Sequence, residues 1–258
     1  MISSIALAPF ASSLLPELNE GAASKFGKTW QAINELRQSL AYEAPSHLLL
    51  IAPQTQRHNY PCGLAQNETY MVGLQKLGGA ELPEKIKGDL AAAHRLKEKL
   101  ESLNMLSLET RELSLLENIG LHLFWPTVKK MRLMPLVIRP TAGAKLYTWG
   151  HLVGNALADL AEKIAVLGLI ELSFPAGYML KNLAAKCDQK IIEALKTNEP
   201  KKIIRSLTLE YGAVKDGSRE VVLFMMGLTQ NLPGRWEILS NETIAGQRTI
   251  TARWLWRN

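Results

Sequence analysis

The run Leu48-Leu49-Leu50-Ile51, followed by Ala52-Pro53-Gln54, does most to decide the fold of this chain. Four consecutive apolar residues leave no side of the segment for water, so the run predicts a strand that is buried on both faces. The polar stretch from Ala52 to Gly63 contains two prolines, which predicts a loop after that strand. Strands of this kind are typical of sheets that helices cover on each side. The run therefore indicates an α/β protein.

Similar segments occur on both sides of this run, and helical segments separate them. Short apolar runs predict further strands at Ile2–Ala8, Leu133–Ile138 and Ala165–Leu172. Apolar residues three or four positions apart predict helices at Ser24–Leu40 and Trp149–Ile164, and Glu84–Leu103 has the pattern of a polar surface helix. Alternating strands and helices favour an α/β fold in which helices cover a central sheet.

The C-terminal third continues the pattern and ends in strands. Two or three helices are expected between Met179 and Leu228, with a break at Asp216-Gly217. The runs Trp236–Leu239 and Arg248–Trp256 predict a final hairpin. Because the sequence contains no internal repeat and no linker, we interpret residues 1–258 as one domain.

Composition excludes several classes of protein. The net charge of +6 comes from Lys and Arg residues that are spread along the chain, so we expect no nucleic-acid partner. Since no apolar run approaches the roughly 20 residues of a membrane helix, we also expect no membrane association. The only two cysteines, Cys62 and Cys187, form no disulfide framework, which favours reduced thiols and a cytoplasmic location.

The ends of the strands are the expected place for function. In open α/β sheets, ligands bind in the crevice beyond the carboxyl ends of the strands. The loops that follow Ala8, Ile51 and Leu172 are therefore the segments to inspect for chemistry.

The residues after the first two long strands carry a family resemblance. Pro9-Phe10-Ala11-Ser12-Ser13-Leu14-Leu15-Pro16-Glu17 resembles the opening of class III (LigB-type) extradiol ring-cleavage dioxygenases. That family usually has Pro-His-Pro-Pro, two or three apolar residues and then Pro-Glu. Where it later has Ser-Pro-His, this chain has Ala52-Pro53-Gln54. Phe10 and Gln54 therefore stand where the family has metal-binding histidines.

Later stretches extend the resemblance over nearly the whole chain. Glu117-Asn118 is similar to the family's acidic residue followed by His, and Leu169–Phe174 to its Ser-Gly-Asp-Leu-Ser-His. Cys187–Leu195 resembles a helix that begins with Phe-Asp in the family. Val214–Arg219 corresponds to Ala-Glu-Cys-Gly-x-Arg, and Met226-Gly227-Leu228 to Leu-Gly-Ala. In this correspondence Lys215 replaces the iron-ligating glutamate, and Phe174 replaces the acid/base histidine.

The resemblance implies a single three-layer α/β domain with a mixed central sheet, as in LigB-type and Memo-type proteins. It also implies that the pocket has lost its chemistry, because non-haem Fe(II) sites use two imidazoles and one carboxylate. We therefore expect no metal and no cofactor, and the leading hypothesis is a non-catalytic pseudoenzyme that binds a ligand or assembles with a partner. The residues expected around the former site are Phe10, Gln54, Asn118, Glu171, Phe174 and Lys215.

Two enzymatic alternatives stay open. In the first, His58, His122 or Glu171 hold Fe(II) in a rearranged site, and the protein cleaves a catechol-type ring. In the second, a metal-independent enzyme uses Lys215 as a base or Schiff-base nucleophile beside Glu171. Structural roles compete with both: an exposed loop position for His58, a hydrogen-bonded core edge for His122, and an ion pair between Lys215 and Glu171.

The resemblance also bears on partners. Related dioxygenases are commonly oligomeric, which implies a homodimer or a hetero-oligomer, with a small molecule as the occupant of the pocket. Phe10 and Phe174 have enough bulk to plug that pocket, since an aromatic side chain buries roughly 150–250 Å².

Overall fold

The computed structural model describes most of the chain, in segments separated by short gaps. The described residues are 1–54, 62–79, 83–101, 106–139, 143–172, 178–204, 218–244 and 247–257. His58, Phe174 and Lys215, which the sequence predicts to be site residues, lie outside these segments. The break expected at Asp216-Gly217 lies outside them as well.

The described strands form a large mixed sheet and a small separate one. Their bounds are β1 (Ile2–Pro9), β2 (His47–Pro53), β3 (Cys62–Ala65), β4 (Thr69–Val72), β5 (Glu84–Lys87), β6 (Leu106–Glu109), β7 (Arg132–Ile138), β8 (Ile164–Ile170), β9 (Gly234–Ile244) and β10 (Gln247–Trp256). The large sheet has the order β6-β3-β7-β2-β8-β1-β10-β9, and β4 pairs with β5. Strands β7, β2, β8 and β1 are parallel, whereas β3 and β10 run antiparallel to their neighbours β7 and β1. The predicted mixed sheet is therefore confirmed.

Helices cover both faces of the large sheet. Their bounds are α1 (Ala22–Lys25), α2 (Gly27–Glu43), α3 (Leu90–Lys99), α4 (Leu115–Leu123), α5 (Gly143–Ala158), α6 (Tyr178–Thr197), α7 (Lys201–Ile204) and α8 (Ser218–Leu228). Among the described residues, no helix combines the length and the apolar character that crossing a bilayer requires.

Two hydrophobic cores follow from the alternation of side chains along the strands. Ala6, Leu48 and Leu167 lie in the core beneath α2 and α4. Their chain neighbours Leu7 and Leu49 lie in the opposite core, beneath α5 and α8. Every residue of β2 and of β8 is buried, as the apolar runs of the sequence predict. The predicted three-layer α/β architecture is confirmed.

The prediction of one long helix over Glu84–Leu103 is wrong at its N-terminal end. Residues Glu84–Lys87 form β5, in which Ile86 alone is buried. Helix α3 begins only after Asp89, whose carboxylate accepts a hydrogen bond from the N–H of Ala92 at 2.9 Å. The capping residue therefore sets the start of the helix.

Two other predicted helices have different bounds. The helix predicted over Trp149–Ile164 ends at Ala158, and Ile164 already belongs to β8. The helix predicted over Ser24–Leu40 is divided at Phe26, whose backbone leaves the helical region at φ −111° and ψ 47°. The spacing of apolar residues reveals neither the end at Ala158 nor the division at Phe26, because apolar residues continue on the same spacing past both points.

Candidate functional site

Four chain positions leave the central sheet at one level, directly after the four parallel strands. They are Arg139 after β7, Gln54 after β2, Glu171 after β8 and Phe10 after β1. The strand registers show this, because Pro53 pairs with Ile138, Ile51 with Gly168, and Pro9 with Ile170, so that the residues after these strands lie next to one another along the sheet edge. We call these four residues the strand-end row. Phe10, Gln54 and Glu171, which the sequence predicts around the former site, are three of these positions, whereas Arg139 was not predicted.

Phe10 closes one end of the strand-end row with an apolar ring. Its side chain is buried, at 4% exposure, and belongs to the core beneath α2 and α4. A phenyl ring offers no lone pair to a metal ion, so this position contributes only apolar surface.

A guanidinium occupies the other end of the strand-end row. Arg139 donates from Nε to Oε1 of Gln54 at 2.5 Å, and the backbone N–H of Gln54 donates to the carbonyl of Ile138 at 2.9 Å. Arg139 is 4% exposed, so the contact lies in the protein interior. The amide oxygen of Gln54 is thus held by a buried cation.

Alternating charges continue from Arg139 towards α4. Arg139 Nη2 donates to Glu109 Oε1 at 2.5 Å, and Glu109 Oε2 lies 4.0 Å from Nε of Arg111. Arg111 in turn binds both carboxylate oxygens of Glu117, at 2.8 and 2.7 Å. We call Gln54, Arg139, Glu109, Arg111 and Glu117 the charge chain. A fully buried carboxylate such as Glu117 is tolerated because a bidentate guanidinium compensates it.

The N-terminus of α4 anchors the far end of the charge chain. Glu117 accepts a hydrogen bond from the N–H of Ser114 at 2.7 Å, and the Ser114 hydroxyl accepts one from the N–H of Glu117, which together form a capping box. Asn118 accepts from the N–H of Gly73 at 3.0 Å and donates to the carbonyl of Ser114 at 3.0 Å. Of the two residues that the resemblance associates with the former site, Asn118 thus holds α4 against the loop after β4, and Glu117 holds it against Arg111 in the segment after β6.

Cys62, at the start of β3, is close to Arg139 and is not an activated thiol. Burial raises the pKa of Cys62 to about 12, although the charge of Arg139 opposes the shift. The protonated thiol is a poor nucleophile and a poor metal ligand. Cys62 and Cys187 are both buried and are not joined by a disulfide.

His122 lies beside a carboxylate and outside the strand-end row. Its Nε2 lies 3.3 Å from Oε1 of Glu17, at the C-terminal end of α4. A neighbouring contact fixes the same region, because Arg37 donates from Nε to the carbonyl of Leu123 at 2.7 Å. His122 is therefore a half-buried histidine beside a carboxylate at the end of α4.

Glu171 is held through its backbone. Its N–H donates to the hydroxyl of Ser218 at 2.7 Å, and that hydroxyl donates to the carbonyl of Glu171 at 2.5 Å. Ser218 is the first residue of α8, so these two hydrogen bonds join the C-terminal end of β8 to the N-terminal end of α8. The Glu171 side chain is half-buried. The predicted ion pair with Lys215 cannot be assigned, since Lys215 lies outside the described residues.

A second histidine pair lies at the opposite end of the sheet. His47 begins β2, and its Nε2 lies 2.9 Å from Oδ2 of Asp89. Burial alone would raise the pKa of Asp89, but hydrogen bonds from Ala92 and His47 lower it below its usual value. The pair fixes α3 against the amino end of β2, which is the wrong end for the strand-end row. Within the described segments, no group of three or more His, Cys, Asp or Glu residues is arranged to hold a metal ion.

Comparison with known proteins identifies the fold and no function. No protein-family model matches this chain, and no curated protein sequence matches it. The structure is similar to the crystal structure of an uncharacterized protein from Escherichia coli K12, with a TM-score of 0.68. The two share 12% sequence identity over 97% of this chain and 99% of the other. At this identity the similarity shows a shared fold over the full length and nothing further.

Proposed function

We propose that this protein is a metal-free relative of the LigB-type extradiol dioxygenases, which binds a small organic molecule at the strand-end row. The proposal joins two independent lines of support. The sequence resemblance matches Phe10, Gln54 and Glu171 to functional positions of that family. The strand registers put the same three positions side by side at the carboxyl edge of the sheet, where ligands of open α/β folds bind.

The contact between Arg139 and Gln54 is the observation that carries the proposal. The side chain of arginine is a planar cation with five N–H donors. Its contact with Gln54 Oε1 at 2.5 Å therefore fixes a positive charge beside the position of the second family ligand. Because Glu109 binds the same guanidinium at 2.5 Å, the pair carries little net charge, and the contact disfavours a metal by engaging the amide oxygen of Gln54.

The same groups suit an organic ligand. Small-molecule sites are mostly apolar and contain a few fixed polar groups. Phe10 supplies an aromatic wall, the Gln54 amide supplies a donor, and the half-buried Glu171 supplies an acceptor. Arg139 is balanced by Glu109, so the row carries no large excess of positive charge.

Metal loading tests the proposal. Protein purified without chelators is reloaded anaerobically with Fe(II), passed through a desalting column and assayed for iron by elemental analysis. We expect far less than one iron per chain, because two imidazoles and a carboxylate are replaced by Phe10, Gln54 and Lys215. One iron per chain, bound tightly, would refute the proposal and favour the rearranged site that includes His58 or His122.

A gain-of-binding variant is the matched control. The triple variant Phe10→His, Gln54→His and Lys215→Glu restores the family's ligand types at the three matched positions. We expect it to retain more iron than the parent protein under identical loading. Equal, negligible iron in both, with the variant folded by circular dichroism, would mean that the three positions do not converge as the resemblance implies.

The cellular location and the assembly of the protein are a separate part of the proposal. We propose a cytoplasmic protein, which two buried thiols without a disulfide support. The resemblance supports a homodimer or a hetero-oligomer, and light scattering of the purified protein tests the former.

A further inference from the structure

A cleft separate from the strand-end row lies between α2 and the sheet. Its volume is about 370 Å³, which is within the range of small-molecule sites. The floor comes from the first half of β1 and from β8 and β10, and the roof comes from the C-terminal half of α2. Because β1 contributes its N-terminal residues, this cleft is displaced from the strand-end row towards the amino end of that strand.

Small residues on the floor create the cleft. Ser4, Ala6 and Ala165 face α2, where Leu36 and Leu40 form the roof. The regular pairing of β1 with β8 from Ser4 onwards sets this orientation, because residues two positions apart on a strand, such as Ser4 and Ala6, lie on the same face.

The hydroxyl of Ser4 is buried and has no hydrogen-bond partner among the described residues. The hydroxyl of the preceding residue differs, because Ser3 donates to the carbonyl of Ile164 at 3.3 Å. A buried polar group without a partner destabilises a protein, so such groups usually meet a ligand or an ordered water. Ser4 thus offers one unused donor and acceptor in a cleft whose lining also includes the apolar side chains of Leu36 and Leu40.

Charges at the rim disfavour an anionic ligand. Arg253 is bound by two carboxylates, with Nη1 2.7 Å from Glu35 and Nε 2.7 Å from Glu237. Lys163 lies 3.2 Å from Glu43 at the other side of the cleft. Three carboxylates therefore face two cations, and neither cation lacks a partner.

We propose that this cleft binds a small uncharged molecule with an apolar body and one hydroxyl, which bonds to Ser4. The apolar body packs between Leu36 and Leu40 on one side and Ala6 and Ala165 on the other. The hydroxyl of the ligand completes the hydrogen bonding of Ser4. This site is independent of the function proposed for the strand-end row.

Titration with three matched probes tests the proposal on the full chain. Phenol has the ring and the hydroxyl, toluene has the ring alone, and benzoate has the ring and a negative charge. Chemical shifts of backbone amides that line the cleft report binding. We expect phenol to bind most tightly and benzoate most weakly.

Two variants locate the site, and a third is the control. Ser4→Ala removes the hydroxyl, so we expect phenol to bind about three- to tenfold more weakly and toluene to bind as before. Ser39→Leu fills the cleft from α2 and weakens both probes. Gln38→Leu adds the same side chain to the exposed face of α2 and changes neither.

Specific results would overturn the proposal. They are an absence of shifts at the lining residues with either phenol or toluene, equal binding of phenol by the parent and by Ser39→Leu, and benzoate binding as tight as that of phenol. An equal loss of phenol and toluene affinity in Ser4→Ala would refute the role of the hydroxyl.

Discussion

Arg139 determines the character of the strand-end row more than any other residue. It is buried, it holds the amide of Gln54, and it binds the carboxylate of Glu109. A buried ion pair contributes little net stability when it is compared with an apolar pair of the same shape. Removing one member is different, because the remaining charge is then left with less compensation. Glu109 keeps the hydroxyl of Ser107 as a donor at 2.9 Å, and Arg111 Nε lies farther away, 4.0 Å from Glu109 Oε2.

The energetic link between Arg139 and Glu109 is testable with a double-mutant cycle. We expect Arg139→Met to lower the free energy of unfolding by about 3 kcal/mol, since it leaves a carboxylate that is only partly exposed. In a Glu109→Gln background the same substitution should have a clearly smaller effect. Urea denaturation of the four proteins gives the coupling free energy. Additive effects would show that the two side chains act independently.

At the scale of elements, α5 and α8 pack so closely that glycine is required at their contact. A Cβ atom on Gly227 would lie 2.0 Å from the carbonyl oxygen of Tyr147, and one on Gly150 would lie 1.9 Å from that of Phe224. Both obstacles are backbone atoms, which cannot move without shifting a whole helix. Because Ser218 at the start of α8 also holds Glu171, the position of α8 affects the strand-end row.

We expect Gly227→Ala to separate the two helices and to lower the free energy of unfolding by about 3 kcal/mol. Gly27→Ala is the matched control. Gly27 begins α2 and has no atom within 4 Å of its missing Cβ, so alanine there should be neutral or slightly stabilising. Thermal unfolding followed by circular dichroism compares the two variants. A similar small effect of both would show that the close contact between α5 and α8 is easily relieved.

At the scale of the whole molecule, the sequence predicts what depends on local composition and misses what depends on distant pairing. Strands β2 and β8 are predictable because each is an uninterrupted apolar run. Strand β6, in which Ser107 and Glu109 alternate with leucines, is only four residues long and exists through its pairing with β3. That pairing brings Glu109 to Arg139, so the charge chain could not be predicted either. Arg139 directly follows a predicted strand, and the same strand-end rule that led to Gln54 would have identified it.

The order of the strands makes the two ends of the chain interdependent. Strand β1 lies between β8 and the C-terminal hairpin of β9 and β10, and the ammonium group of Met1 donates to the carbonyl of Leu160 at 2.8 Å. Trp236 and Trp254 of the hairpin pack edge to face, with ring centroids 5.7 Å apart, within the core beneath α5 and α8. If β1 or the C-terminal hairpin separated from the sheet, that core would be exposed.

We therefore expect residues 1–258 to unfold as one cooperative unit. Tryptophan fluorescence reports the hairpin among other sites, and far-ultraviolet circular dichroism reports mainly the helices. Because the hairpin and the helices share one core, both signals should change at the same urea concentration, and the same free energy of unfolding should fit both. A fluorescence transition that precedes the loss of helix would mean that the hairpin detaches first. In that case the C-terminal strands would form a separate folding unit, and the single-domain interpretation would be wrong.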